Sequence, residues 1–114
     1  MVILTEGANR IRDLLNTNID RGQFGTGTTS EEITDTAIET GVSNTLTAVG
    51  AATTAANFLE ETHEISSTLG NDNTLTEHTF LRASDSRLVS RSIFRGITKQ
   101  DTFEFRTRTR WFIE

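Results

Sequence analysis

The last part of the chain shows the clearest pattern, because apolar or threonine residues alternate there with charged residues. From Phe103 to Ile113 every second residue is Phe, Thr, Trp or Ile, and the residues between them include Glu104, Arg106, Arg108 and Arg110. A period of two over about ten residues is typical of a β-strand with one packed face and one solvated face. This segment therefore predicts an antiparallel sheet that contacts the core on one side only.

Weaker forms of the same pattern precede it and are separated by turn residues. The β-like segments are IDRGQFG, VSNTLTAVGAATT, NFLEETHEISS, TLTEHTFLRA and RLVSRSIFRGI. The clusters LGNDNT, SDS and GITKQD are rich in Gly, Asn, Asp or Ser, which favour turns. Five or six short strands at this spacing predict a mainly β chain, with an antiparallel β-sandwich over residues 19–114.

The first 18 residues predict a short α-helix that leads the sandwich. Between Thr5 and Asn16, helical spacing places on one side Ala8, Ile11, Leu14 and Leu15. The other side takes Arg10, Arg12 and Asp13. Thr5 is in position to be the N-cap, and Glu6 lies in the first turn, where the helix dipole favours an acid.

The apolar side of this helix is a candidate interface. Ile11, Leu14 and Leu15 are too apolar to face water together, and a helix this short is marginal in isolation. We predict that residues 1–18 form a docking arm that packs on another subunit or another protein. The alternative is that the helix packs across the sheet of its own chain.

The segment FGTGTTSEEITDTAIETGV, residues 24–42, raises the question of a nucleotide-binding loop. A phosphate-binding loop of the Walker type needs a Lys that reaches the phosphates, and this segment has none. Thr29 and Glu32 have the spacing of a capping box, which predicts one or two helical turns within residues 30–39, ended by Gly41. We interpret the segment as a surface connector that packs against a neighbour, and Phe24 at its start is part of the candidate interface.

The two histidines, His63 and His78, are the first residues to test for metal binding. If a two-residue turn at 70–71 joined their strands, they would lie opposite each other and could bind a metal ion. The same register would set Glu64 against Glu77, and such a like-charge pair is destabilising unless an ion bridges it. A register shifted by one residue, with Glu64 opposite His78, or a longer loop is preferred. We therefore predict no metal site and no cofactor, with both histidines on a solvated strand face.

No other arrangement in the sequence indicates catalysis. The GxSxG motif is absent, and no Ser-His-Asp pattern stands out, so we predict that the protein is not an enzyme. The row Arg106, Arg108 and Arg110 is a further candidate interface. Few aromatic residues share its face, which disfavours a single-strand nucleic-acid platform. The preferred interpretations are pairing with the chain's own Glu residues or a contact with another protein.

Composition narrows the class of partners. The chain has 114 residues, of which only 34% are hydrophobic, and a formal net charge of −5. A thin core favours burial in an assembly, while an acidic surface repels nucleic acid. The sequence has no Cys and no apolar run near the roughly 18 residues of a membrane span, so neither disulfides nor a membrane partner is expected. Ten Arg against one Lys, with 21 Thr, suit a protein of high salt, and a GC-rich codon bias explains these numbers equally well.

The order of motifs resembles small structural proteins of tailed viruses. The chain has FGTGTT, ITDTAIETGV and TLTEHTFLRASDSRLVSRSIF, followed by the alternating last strand. In tail-fibre-like and tail-appendage-like proteins a GTGTT…DTAL segment leads into a β-sandwich, and Thr76 to Leu81, Leu88 to Arg91 and Phe94 match the pattern that follows. The chain departs from that pattern at residues 78–80, where the family usually has a Gly. The resemblance covers roughly Phe24 to Ile113.

This resemblance implies a non-enzymatic virion protein on the tail or the capsid surface. It implies a symmetric homo-oligomer, such as a trimer, that also contacts other virion proteins, and the acidic, Lys-poor composition would suit a virus of a salt-loving archaeal host. The alternative is a receptor- or glycan-binding head of a virion, with exposed loops such as LGNDNT and RGITKQD. Trp111 could then stack on a sugar, but it shares the face of Phe103 and Phe105, so a core position is preferred.

Overall fold

The computed structural model describes residues 4–55 and 58–112. Within them it contains one α-helix, α1 (Thr5–Thr17), one 3-10 turn (Ser43–Thr45) and seven strands. The strands are β1 (Arg21–Gly25), β2 (Thr47–Ala48), β3 (Thr53–Ala55), β4 (Phe58–Ile65), β5 (Thr74–Arg82), β6 (Arg87–Thr98) and β7 (Phe105–Phe112). The predicted mainly β fold with a leading helix is confirmed.

The strands form two antiparallel sheets that pack on each other. Sheet 1 has the order β2-β1-β5-β6, and sheet 2 has the order β3-β4-β7. Strands β5 and β6 form a hairpin within sheet 1, whereas the chain crosses between the sheets after β2, after β4 and after β6. The architecture is the predicted antiparallel β-sandwich.

The longer loop expected as one alternative between the two histidine strands is present at residues 66–73, but both hairpin registers are wrong. Because β4 and β5 belong to different sheets, neither of the two expected registers exists. His63 instead lies opposite Thr107 of β7, and His78 lies opposite Phe24 of β1. The connecting loop crosses between the sheets and turns at Gly70, whose φ of 70° favours glycine.

The apolar core between the sheets is small. Its main cluster consists of Phe24, Ile65 and Leu75, surrounded by the partly buried Val42, Leu69, Phe94 and Phe105, and Leu59 and Phe80 are buried as well. The solvent-accessible surface of the chain is 7046 Å². A folded monomer of this mass is expected to expose about 6,200 Å². The chain therefore buries less of its surface than an average monomer of the same size.

Helix α1 packs on sheet 2 with a side that agrees with the predicted one at Ala8 and Leu15 and differs from it at Ile11 and Leu14, which are exposed. Ala8 of the helix is buried, and so is Ile19, which follows the helix. Arg12, which we expected to face solvent, is partly buried and donates from Nη1 to the Ala55 carbonyl oxygen at 2.7 Å. An arginine can take this place because its stem packs on apolar groups while its guanidinium reaches a polar partner.

The N-terminus of α1 also corrects a prediction. Thr5 is the first helical residue rather than the N-cap, and Leu4 occupies the cap position without a side-chain hydrogen bond. Glu6 lies in the first turn, as predicted. Leu4 provides the first backbone acceptor, since the Ala8 N–H donates to its carbonyl oxygen at 2.9 Å.

Residues 26–40 form a closed surface loop whose ends meet at a bridge between Gly25 and Gly41. The helical turns predicted within residues 30–39 are wrong, since the loop holds only a single turn at residues 33–34. Its backbone N–H groups are bound by side-chain carboxylates, which removes the donors that a helix would use.

Candidate functional site

The two histidines meet through their ring nitrogens between the sheets, with their rings tilted by 36°. His63 Nδ1 lies 2.9 Å from His78 Nε2, and His63 Nε2 lies 2.8 Å from Thr47 Oγ1. The exposed fractions of the two histidines are 0% and 3%, so the predicted position on a solvated face is wrong. Because one nitrogen must accept while the other donates, the two rings cannot both be imidazolium.

Strand β1 makes room for this pair. A Cβ added at Gly22 would overlap the His63 ring, so glycine is required for the close approach of the two sheets. Phe24 stacks on His63 with ring centroids 5.1 Å apart and lies 4.7 Å from the His78 ring. Phe24 is fully buried, which corrects its predicted place in an interface, because the alternation along β1 turns its side chain inward.

Glu61 is the preceding inward residue of β4 and has no comparable support. Its exposed fraction is 1%, and neither carboxylate oxygen has a hydrogen-bond partner among the described residues. Burial raises the pKa of Glu61 to about 7, because an apolar surrounding favours the neutral acid. Burial also lowers the pKa of His63 to about 4, and burial together with His63 lowers the pKa of His78. At neutral pH both imidazoles are therefore uncharged.

This interior cluster bridges the sheets and does not form an open chemical site. Among residues 4–55 and 58–112, no three His, Asp or Glu side chains lie close enough together to hold a metal ion. Two clefts of about 380 Å³ each lie on the described surface, one against β6 and one against α1, and neither is lined by the histidines. The histidine pair thus contributes hydrogen bonds between sheet 1 and sheet 2.

A second buried carboxylate, that of Glu77, fixes the loop of residues 26–40. It lies on the outer face of sheet 1 and is fully buried under the loop. Its Oε1 accepts hydrogen bonds from the backbone N–H groups of Gly27 at 3.0 Å and Thr40 at 2.8 Å. Its Oε2 accepts one from the Glu39 N–H at 3.2 Å. One side chain therefore holds both ends of the loop.

Arg91 of β6 completes this arrangement. Its Nε donates to Glu77 Oε2 at 3.0 Å, its Nη1 to Asp35 Oδ2 at 3.1 Å and its Nη2 to the Thr29 carbonyl oxygen at 3.0 Å. The Arg91 side chain is only 5% exposed. Charge-assisted hydrogen bonds of this kind are stronger than neutral ones. We refer to Glu77 and Arg91 together as the loop clasp.

The capping box predicted from Thr29 and Glu32 does not form. The Glu39 carboxylate instead accepts the N–H groups of Thr28 at 2.9 Å and Thr29 at 3.3 Å, and hydrogen bonds from Thr29 and Thr28 lower its pKa. The Glu32 N–H donates to Asp35 Oδ2 at 2.9 Å. These carboxylates stabilise a compact loop in place of helical turns.

The arginine row of Arg106, Arg108 and Arg110 lies on the outer face of sheet 2. Arg106 lies 3.2 Å from Glu64, whereas Arg110 at 2.8 Å and Arg108 at 3.6 Å both contact Glu60. The predicted pairing with the chain's own glutamates is confirmed. The three side chains remain 53%, 57% and 49% exposed, and a contact of this row with another protein stays a prediction.

The helix presents part of its apolar side to solvent. Leu4, Ile11 and Leu14 are 71%, 46% and 65% exposed, and we call them the helix flank. Leu15, the third helical residue of the predicted interface, is partly covered. The helix therefore contacts its own sandwich on one side, and docking of the flank on another subunit stays a prediction.

Sequence reasoning missed the buried charged groups. These are Glu61, Glu77, Arg91 and Lys99. The single lysine, Lys99, is fully buried, and its Nζ donates to three oxygens at 2.7 to 3.2 Å. Gly25 is a signal for the clasp, because a Cβ added there would lie 2.5 Å from Glu77 Oε1. A carboxylate can approach the backbone this closely only where no side chain intervenes.

Comparisons with protein-family models, with curated proteins and with solved structures find no match to this chain. Among the described residues, no helix has the length and apolar character needed to cross a membrane.

Proposed function

We propose that this chain is a non-enzymatic structural protein of a virion, located on the tail or the capsid surface of a tailed virus. It assembles there as a symmetric homo-oligomer and contacts other virion proteins. The viral assignment rests on the motif order from FGTGTT to the alternating last strand. The assembly rests on the exposed surface of the folded chain.

That surface carries the proposal. The chain exposes 7046 Å², which exceeds the roughly 6,200 Å² expected for its mass. An interface of standard size takes roughly 800 Å² from each partner, and the exposed surface of this chain is large enough to supply that area. Its apolar part includes the helix flank, which sits on a helix already anchored by the buried Ala8.

Light scattering over a range of protein concentrations, in high salt, tests the assembly. We expect a mass that is a small multiple of the monomer. The substitution Ile11→Ser with Leu14→Ser should reduce that mass and leave the melting temperature nearly unchanged, because both side chains are exposed in the single chain. Asn16→Ser, on an exposed helix position outside the flank, is the control. A wild-type chain that remains a folded monomer at every concentration would contradict the proposal.

The virion location has its own test. Purified particles of a tailed virus that encodes this chain should contain it in a fixed copy number relative to the major capsid protein. Quantitative mass spectrometry of those particles measures this number. Failure to find the chain in intact particles would overturn the location without bearing on self-assembly.

A receptor- or glycan-binding head is the second candidate. Phe112 is 63% exposed and lies beside Phe58, and the Arg110 guanidinium is 4.6 Å from the Phe58 ring centroid. Such an aromatic and charged surface fits a sugar better than Trp111, whose ring packs on Phe80 with centroids 5.5 Å apart. Binding of a glycan at Phe112 should change the emission of the neighbouring Trp111.

A further inference from the structure

The tip of the loop combines an exposed apolar residue with two exposed acids. Ile33 has an exposed fraction of 105%, the highest of the large apolar residues within 4–55 and 58–112. Glu31 and Glu32 precede it and are exposed, and the three residues together are called the loop tip. Beside them lies a cleft of about 380 Å³ that is also lined by Leu88 and Val89 of β6.

The loop clasp holds this tip in place. Without it, a loop of this length could fold its isoleucine against the sheet. The Arg91 guanidinium instead ties the loop at Asp35 and Thr29, on either side of the tip, to the buried Glu77. A rigid loop loses little conformational entropy on binding, so this arrangement favours recognition of a partner.

A complementary surface lies on the opposite face of the sandwich. At one end of the arginine row, Phe58 and Phe112 form an aromatic pair with ring centroids 6.1 Å apart, and Arg110 lies over the Phe58 ring. We call these three residues the aromatic end of sheet 2. It offers an exposed apolar ring next to Arg108 and Arg110, whose two positive charges share the one carboxylate of Glu60 and so exceed it. The loop tip offers an exposed apolar side chain next to the exposed Glu31 and Glu32.

Pairing of two β7 strands across a twofold axis is disfavoured by the same charges. Residues directly opposite each other in an antiparallel pair share a face, so a pairing centred on Arg108 would set it against its copy and Arg106 against Arg110. Strand β6 is the free edge of sheet 1, but two register shifts interrupt its pairing with β5. Bulges of this kind protect an edge from strand addition.

We propose that the loop tip of one copy docks on the aromatic end of sheet 2 of the next copy. Ile33 packs on Phe112, and Glu31 and Glu32 face the arginine row. This contact deepens the proposed assembly and rests on it. Because the two surfaces lie on opposite faces, each copy uses one to bind a first neighbour and the other to bind a second. Such head-to-tail contacts close into a ring or continue as a filament.

A charge exchange tests the contact. The loop variant is Glu31→Arg with Glu32→Arg, and the row variant is Arg106→Glu with Arg108→Glu. Each variant alone should self-associate about tenfold more weakly than wild type at roughly 0.15 M salt, because like charges then meet across the contact. An equimolar mixture should form contacts between unlike copies with wild-type affinity, since the reversed loop of one variant meets the reversed row of the other. These contacts alternate along a filament or an even-numbered ring, and they form open mixed chains where the wild type is a trimer.

Two controls support this experiment. Gln100→Arg with Asp101→Arg adds positive charge to an exposed turn outside both surfaces and should leave assembly unchanged. Ile33→Asp should weaken assembly about tenfold even in high salt, where charge effects are screened. The melting temperature of each variant measured at a concentration where wild type is monomeric shows that the fold is intact.

The outcomes separate this contact from the proposed function. If the wild-type chain never assembles, both proposals fail. If it assembles and the loop variant or Ile33→Asp assembles equally well, only the head-to-tail contact is overturned. If both charge variants fail to assemble and their mixture does not recover, the pairing of these two surfaces is wrong.

Discussion

Glu61 and Glu77 are two glutamates with the same burial and opposite surroundings. Both are at most 1% exposed, and each lies on a central part of its sheet. Glu77 accepts hydrogen bonds from three backbone N–H groups and from Arg91. Glu61 accepts none from the described residues, and burial raises its pKa to about 7.

The difference shows what a buried carboxylate needs in order to stabilise a fold. Glu77 lies on the outer face of sheet 1, where a loop supplies donors and a guanidinium supplies charge. Glu61 lies on the inner face of sheet 2, where its neighbours leave both oxygens without a partner. Burial of an ion is favourable only when its hydrogen bonds and its charge are both compensated. A buried glutamate therefore stabilises the fold at position 77 and destabilises it at position 61.

Of the changes considered, loss of the Glu77 carboxylate should lower the stability of the fold most. Glu77→Ala leaves three N–H groups and the nearly buried Arg91 without their acceptor, so we expect a loss of about 3–5 kcal/mol in the free energy of unfolding. Urea denaturation at pH 7 measures this loss. Glu77→Gln, which keeps one acceptor oxygen, should lose less. A change below about 1 kcal/mol in the alanine variant would show that the loop clasp does not stabilise the chain.

Acid should have the next largest effect, through the histidine pair. The folded-state pKa of His63 is about 4, below its ordinary value of 6.5, so its contribution to stability is present above pH 6.5 and is lost as the pH falls toward 4. A shift of this size corresponds to about 3 kcal/mol. The downward shift for His78 acts in the same direction. Glu61 acts in the opposite direction over the same range, because its raised pKa of about 7 adds stability as the pH falls. Melting temperatures of the Glu61→Leu variant, which lacks this opposing group, should therefore fall from pH 7 to pH 4.

The variant His63→Phe shows how much of this loss of stability in acid, the acid limb of the stability profile, comes from His63. The variant keeps a ring against Phe24 but removes one titrating group, so its stability at pH 7 is lower and its dependence on acid is shallower. An equally steep acid limb in the variant would exclude His63 as the source.

Removal of the Glu61 carboxylate should raise stability at alkaline pH. The pKa of Glu61 is raised from 4.5 to about 7, so its contribution is present below pH 4.5 and is lost as the pH rises through 7. Glu61→Leu should gain about 1–3 kcal/mol over wild type at pH 8, and the gain should shrink below pH 4.5. Chemical denaturation at both pH values checks this. A variant that is less stable than wild type at pH 8 would mean that the carboxylate has a partner.

A substitution in the exposed arginine row should have the smallest effect on the free energy of unfolding. Arg106 lies 3.2 Å from Glu64, but both side chains are about half exposed, so Arg106→Ala should change the free energy of unfolding by less than about 1 kcal/mol. Denaturation of this variant beside Glu77→Ala compares an exposed and a buried charge pair in one protein. Comparable losses in the two variants would remove the distinction.

The sequence predicts the sandwich well because its alternation survives in the structure. Along β7 the side chains alternate, as the period of two requires. Those that point inward are Phe105, Thr107, Thr109 and Trp111, and those that point outward include Arg106, Arg108 and Arg110. The helix is also predicted, but its orientation is not, because Arg12 rather than Ile11 lies on the packed side. The spacing of apolar residues in the sequence defines the apolar side of the helix, but sheet 2 covers only part of that side.

The candidate site could not be predicted in the same way. The histidine pair and the loop clasp both join residues of different strands, and their contacts depend on which strands share a sheet. The preferred register assumed that β4 and β5 form a hairpin, and this assumption separated His63 from His78. Local patterns carry no information on where the chain crosses between two sheets. The partners of His63, His78 and Glu77 could therefore not be predicted from the sequence.

The central claim is that the loop clasp presents a rigid loop tip to a second copy of the chain. Hydrogen–deuterium exchange at low and high protein concentration tests it most directly. The amides of Gly27, Glu39 and Thr40 donate to Glu77, so we predict that they are protected at both concentrations. The amides of Ile33 and Thr34 should exchange more slowly in the assembled chain than in the monomer. Equal exchange around Ile33 in the monomeric and the assembled chain would contradict the account.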